Sequence, residues 1–273
     1  MHEIQDQSPK PEAGSPDAAP RTLKLTLAYD GTRFVGWQRQ AEGESIQGLL
    51  ESALARLEGA PVTVNGAGRT DAGVHALGQV ASATVSFSHD PATVFRSLNA
   101  QLPADVRVLA VDETTPGFHA RYSARRKTYR YQIAQGPAAS PFERAFAWHV
   151  PEPLDIAAMD TAAAALVGTH DFAAFQSTGS PAATTVRTIV RSGWRRQAAG
   201  VAGIGPECLL VYEVSGDGFL RHMVRTVVGT LVEVGRGRRT SSSVAELLEG
   251  STRQAAGPTA PAHGLFLVQV EYD

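Results

Sequence analysis

Segments of two-residue and 3.6-residue apolar period alternate along this 273-residue chain in the order βαββαβ, and a less regular version of the same rhythm follows. That pattern confines the chain to an α+β class. Leu23, Leu25, Leu27 and Tyr29 alternate with Lys24, Thr26 and Ala28 as in a half-buried strand, ended by an Asp30-Gly31 turn. Ser45 is placed to cap a helix carrying Ile46, Leu49, Leu50, Ala53, Leu54 and Leu57, with Gly59 just beyond its end. Strands follow near Val62 to Val64 and Gln79 to Phe87, then a helix near Pro91 to Leu102 and a strand from Val106 to Val111. In the second half, strands are expected at 124–133, 186–194, 209–215 and 265–272. Helices are expected at 155–167, 219–234 and 244–248. Two ferredoxin-like or RNA-recognition-like halves follow, with mainly antiparallel sheets flanking a central catalytic cleft and helices on the outer faces. The expected division is a disordered tail over 1–21, an α+β domain over 22–115 and a second over 116–273.

Met1 to Pro20 holds Pro9, Pro11, Pro16 and Pro20 among acids and alanines with no apolar period, hence the disordered reading. It has neither the basic start nor the apolar block of a secretory signal, and no run of 18 apolar residues indicates a membrane span. A lone cysteine, Cys208, forbids an internal disulfide and suits a reducing cytoplasm; its apolar neighbours Leu209, Leu210 and Val211 make it read as a core residue. The net charge of −2 averages two unequal halves. Residues 1–115 hold 9 Lys+Arg against 14 Asp+Glu, and residues 116–273 hold 16 against 13.

The chemistry concentrates in Gly66-Ala67-Gly68-Arg69-Thr70-Asp71-Ala72-Gly73-Val74-His75, which sets one carboxylate beside one permanent cation among three glycines. In isolation this would read as a surface turn with a local ion pair. It is not a dinucleotide loop, because Asp71 takes the third glycine position of Gly-x-Gly-x-x-Gly, and no phosphate loop occurs elsewhere. No nucleotide cofactor is therefore expected.

Arg121, Arg125, Arg126, Lys127 and Arg130 form an acid-free segment interleaved with Tyr122 and Tyr129. Arginines supply phosphate contacts and aromatic faces supply stacking for an unpaired base, so the segment reads either as an RNA contact or, taken alone, as a solvated basic strand. Lys127, Tyr129 and Tyr131 share one face of the expected strand. On the 219–234 helix, Met223, Val224, Val227, Val228 and Leu231 make an apolar face, with Arg221, His222 and Arg225 opposite. An arginine there is ordinarily exposed; it gains a role only if Asp71 needs a cationic partner, to which a guanidinium offers a fork for two carboxylate oxygens. The dispersed histidines and single cysteine give no metal-binding pattern. Asp171, flanked by Phe172 and Phe175, reads as part of a loop pinned to the core rather than a second catalytic carboxylate.

Together these residues resemble the tRNA pseudouridine synthase A family. The matching pieces are Tyr29 to Gln38, Gly66 to His75, Phe118 to Arg121 with Arg125 to Tyr131, Gly168 to Phe175, Val186 to Ile189, Gly218 to Arg225 and Pro261 to Leu265, in the family's order. The N-terminal tail and an enlarged hairpin connection around Gln197 to Pro206 depart from it. The resemblance implies isomerisation of uridine to pseudouridine at positions 38, 39 and 40 of the tRNA anticodon stem-loop, by a cytoplasmic homodimer without cofactor or metal. It implies Asp71 as nucleophile, Arg69 in the same loop, Tyr129 stacked on the flipped uracil and Arg225 paired with the aspartate. Arg121, Arg125, Arg126 and Arg130 are the candidate RNA contacts. Rival readings are a synthase of the same family with narrower or shifted positions, a silent RNA-binding protein, and a nucleoside hydrolase, which would release free uracil.

Overall fold

A computed structural model describes residues 19–177, 183–198 and 208–273. Residues 1–18 of the expected 1–21 tail, the interior of the 198–208 connection and the Cys208 side chain lie outside the described residues, while Arg21 already belongs to a strand.

Strand β1 (Arg21–Tyr29) buries Leu23, Leu25, Leu27 and Tyr29 on one face, as the alternation requires. Helix α1 (Ile46–Glu58) begins at Ser45, whose hydroxyl accepts from the Gly48 N–H, and ends at Gly59 with φ 75°. The left-handed backbone there is what a glycine permits. Strands β2 (Val64–Gly66) and β3 (His75–Val85) flank the glycine-rich loop. Helix α2 (Pro91–Gln101) is capped by Asp90, and β4 (Val106–Thr114) closes the first half.

The second half runs β5 (Arg126–Gln135), β6 (Trp148–Val150), α3 (Ile156–Ala164), β7 (Gly168–Asp171), β8 (Val186–Ala198), β9 (Cys208–Gly216), α4 (Met223–Gly235), α5 (Ser243–Glu246) and β10 (Leu265–Glu271). Two of these, β6 and β7, are short strands that three or four residues of sequence give no period to reveal. β7 takes ground expected to be loop, and α3 ends at Ala164, three residues short of the expected 167. Phe172 and Phe175 are nonetheless fully buried beyond it. Helix α4 starts four residues later than its apolar spacing suggests, because His222 has φ 62° and cannot continue a helix backward.

All ten strands form one sheet, in the order β4-β1-β3-β10-β5-β9-β8-β7, with β2 on β3 and β6 on β5. This corrects the expectation of two sheets side by side. The C-terminal strand β10 fuses them: it pairs parallel with β3 through Phe266↔His75 and Leu267↔Ala76, and antiparallel with β5. Leu265, Phe266 and Leu267 are all buried, as a central strand covered on both faces demands. Ladders are otherwise antiparallel, apart from β5 with β6. Among the described residues no helix is long and apolar enough to cross a membrane.

Candidate active site

The loop carrying Asp71 is braced from behind by the segment that follows β1. Tyr29 Oη and Thr70 Oγ1 are 2.9 Å apart in the core, and the Trp37 N–H donates to the Thr70 carbonyl at 3.0 Å. Burial pushes the Tyr29 phenol up to about 12, so it stays neutral and can share a proton with Thr70. Gly36, at φ 107°, packs so closely that a Cβ would stand 2.5 Å from the Thr70 carbonyl oxygen. A Cβ on Gly66 would meet the Trp37 ring at 2.3 Å. From the other side, the Gln79 amide donates to the Gly68 carbonyl at 2.8 Å and the Ala67 N–H to the Val80 carbonyl at 2.8 Å. The purpose of the 29–38 motif is thus structural: it fixes the backbone on which the carboxylate stands.

His75 closes the loop. Its Nδ1 accepts from the Gly31 N–H at 3.0 Å, which leaves the proton on Nε2 to donate to the His263 carbonyl at 3.1 Å. The ring stacks on Phe266 with centroids 4.7 Å apart. Burial lowers its pKa below the usual histidine value, against the pull of Asp30.

Asp71 projects from this brace with its side chain 30% exposed and meets the start of α4. Arg225 Nη1 donates to Asp71 Oδ2 at 3.1 Å, and His222 Nε2 lies 3.5 Å from the same oxygen. The guanidinium does not fork across both carboxylate oxygens, as its chemistry alone suggests. Its Nε instead donates to the Ala260 carbonyl at 2.8 Å, while the Ala260 N–H donates to the Arg225 carbonyl at 3.0 Å. Nor is Arg225 an exposed surface residue: its side chain is 16% exposed. Burial surrounds nearly the whole of α4, so its polar side faces the site rather than water. Both contacts come from the first turn of α4 and the residue before it, at the helix's N-terminal end.

Lys127, Tyr129 and Tyr131 lie on the Asp71 side of β5. Tyr131 is fully buried, its hydroxyl donating to the Pro261 carbonyl at 2.8 Å, and a Cβ on Gly264 would strike its ring at 2.6 Å. Tyr129 stands edge-on to Phe219 at 5.0 Å, its hydroxyl 3.6 Å from where a Cβ on Gly68 would be. Burial, then Tyr29 and Asp71, raise the Tyr129 phenol pKa, so it is a neutral ring near the carboxylate. Burial lowers the pKa of Lys127, helped by Arg121 and Arg187 and opposed by Asp217.

The four arginines of the basic segment divide. Arg126 and Arg130 alternate with Lys127 and Tyr129 and so face the opposite side of the sheet. There Arg130 binds Glu213 at 2.7 Å, alongside Arg191 and Arg195, and Arg126 lies 3.5 Å from Glu271. Arg125 pairs with Asp273 at 2.6 Å. Arg121 lies over the exposed Tyr122 ring, 5.7 Å from its centroid. Arg69 is exposed, and among the described residues no ion pair or hydrogen bond holds it. Asp171 Oδ1 accepts from the Ala173 N–H at 2.9 Å, a local turn on an edge strand. His222 carried no chemical signal in the sequence beyond its place beside Arg225; only the backbone turn at this residue brings it to Asp71.

Comparison with known proteins places these residues in context. Residues 26–123 and 162–273 match the family model described as tRNA pseudouridine synthase. Proteins named tRNA pseudouridine synthase A are similar over most of the chain. The one from Moorella thermoacetica is 46% identical across 92% of this chain and 99% of its own length, and that from Pelobacter propionicus 47% across 92% and 100%. The Geobacter sulfurreducens protein is 46% identical across 92% and 100%.

Proposed function

The chain belongs to the tRNA pseudouridine synthase family, an isomerase of tRNA uridine, and we propose that Asp71 is its nucleophile. Pseudouridine formation breaks the C1′–N1 bond and forms C1′–C5; the C5 proton is lost and N1 gains one. The base must be held while detached, which calls for a group that forms or stabilises an intermediate. The contact between Arg225 and Asp71 Oδ2 carries this reading, since it sets a largely buried, permanent cation against the one carboxylate of the glycine-rich loop. Tyr129 is the stacking ring, because Tyr131 is closed off by its bond to Pro261. Flipping a uridine costs a few kcal/mol, and stacking returns roughly 1–3 kcal/mol per base.

The substrate uridines are at positions 38, 39 and 40 of the anticodon stem-loop, a reading that rests on the motif resemblance, and the enzyme acts in the cytoplasm as a homodimer. Arg69 and Arg121 meet the tRNA backbone. Two ferredoxin-like halves are supported by the strand orders β4-β1-β3-β2 and β10-β5-β9-β8, which match when each half is counted separately and the short strands β6 and β7 are left out. The test is to map pseudouridine in tRNA from cells lacking the protein, then restore it with wild type or Asp71→Asn. Loss at 38–40 that only the wild type repairs is the expected result; full repair by Asp71→Asn would remove the nucleophile assignment.

A further inference from the structure

His222 occupies a position that local rules assign to other residues. It directly precedes α4 with φ 62° and ψ 0°, the sole non-glycine with positive φ among the described residues. A residue at a helix start is ordinarily extended and accepts a first-turn N–H with a short oxygen side chain. His222 does neither, and its imidazole makes no capping bond. Left-handed backbone is unfavourable for any residue with a Cβ, and such strain persists where surrounding structure over-determines it. Here the turn brings Nε2 to 3.5 Å from Asp71 Oδ2, the oxygen that Arg225 already holds.

We propose that His222 is a positioning residue for Asp71, which with Arg225 anchors Oδ2 and leaves Oδ1 as the attacking atom. This rests on the assignment of Asp71 as nucleophile. Both side-chain contacts to Asp71 from the α4 end, His222 and Arg225, fall on Oδ2, so the carboxylate is pinned at one oxygen and presents the other. Asp71, Arg221, Arg225 and Arg253 surround the imidazole. Burial lowers its pKa first; Asp71 opposes this and the three guanidiniums add to it. His222 is therefore neutral at neutral pH and steadies the carboxylate without a second full positive charge that would quench its nucleophilicity.

His222→Gly and His222→Asn both accept the left-handed backbone, Gly without strain. Thermal melting and single-turnover rates on tRNA across pH 5 to 8 are measured for both, with Asp71→Asn in parallel. The expected result is that His222→Gly melts at the wild-type temperature or up to about 2–4 °C above it. Its saturated rate should fall at least about tenfold with tRNA affinity unchanged, and the rate inflection below about pH 6.5 should disappear. A wild-type rate and unmoved pH profile in His222→Gly, with Asp71→Asn inactive, overturns the role of His222 alone. Failure of both His222 variants to fold also overturns it, by making the residue a requirement of the fold. An active Asp71→Asn would instead bring down the nucleophile assignment on which it rests.

Discussion

Arg225 Nη1 lies 3.1 Å from Asp71 Oδ2 across 154 residues of chain, with the Arg225 Nε on the Ala260 carbonyl at 2.8 Å. One guanidinium therefore joins the Asp71 loop, the start of α4 and the segment before β10. An ammonium has no second, oppositely directed donor fixed in the same plane. Arg225→Lys is expected to slow single-turnover isomerisation at least about tenfold although charge is kept. Arg225→Ala should cost more, with about 1 kcal/mol of stability lost as the Ala260 carbonyl loses its partner. Near-wild-type rates in both would show that the contact is incidental.

Asp71 is braced through its backbone and is not itself a brace, so Asp71→Asn should melt close to wild type while turnover falls by more than about a thousandfold. Differential scanning fluorimetry beside a radiolabelled-tRNA assay separates the two effects. A large drop in melting temperature would mean that the carboxylate serves the fold.

The two tyrosines of β5 should behave differently. Tyr131→Phe removes the hydrogen bond to the Pro261 carbonyl and is expected to lose about 1 kcal/mol of stability with a near-normal rate. Tyr129→Phe keeps the ring and should bind tRNA normally, whereas Tyr129→Leu should weaken capture of the base by about 1–3 kcal/mol. Equal effects at both positions would reverse the assignment of the stacking ring.

RNA contact should track the face of the sheet. Removing charge at Arg69 or Arg121 is expected to lower the slope of log affinity against log salt by about 0.7–0.9 per contact. Arg130→Ala should leave that slope in place and register as lost stability, because Glu213 loses its closest cation, 2.7 Å away. A slope change at Arg130 would extend the RNA surface to the opposite face.

Acid should weaken the fold through His75. Its folded pKa lies below the unfolded value, so between the two the unfolded chain binds more protons and stability falls as pH falls. Stability is complete above about pH 6.5 and drops as pH goes below it. His222 and His263, also lowered chiefly by burial, act in the same direction. Melting temperature measured from pH 7.5 to 5.5 should decline, and less steeply in His75→Gln. An identical slope in that variant would assign the effect elsewhere.

What the sequence determined by itself was local. The period-2 run at Leu23 to Tyr29, the Ser45 cap, the Gly59 terminus and, of the three glycines around Asp71, the left-handed Gly73 each state a backbone preference that neighbouring residues suffice to express, and each stands in the structure. The family motifs marked Asp71 and Arg225 as a pair, but not that the guanidinium reaches Oδ2 alone and spends its Nε on the Ala260 carbonyl. Only tertiary structure placed β10 between β3 and β5, fusing two expected sheets into one, because pairing of a C-terminal strand depends on edges formed some 190 residues earlier in the chain, such as His75 opposite Phe266. Tertiary packing likewise buried α4 on nearly every side and forced His222 into a backbone its own side chain disfavours. Strain of that kind is invisible to propensity, since it exists only where the rest of the fold imposes it.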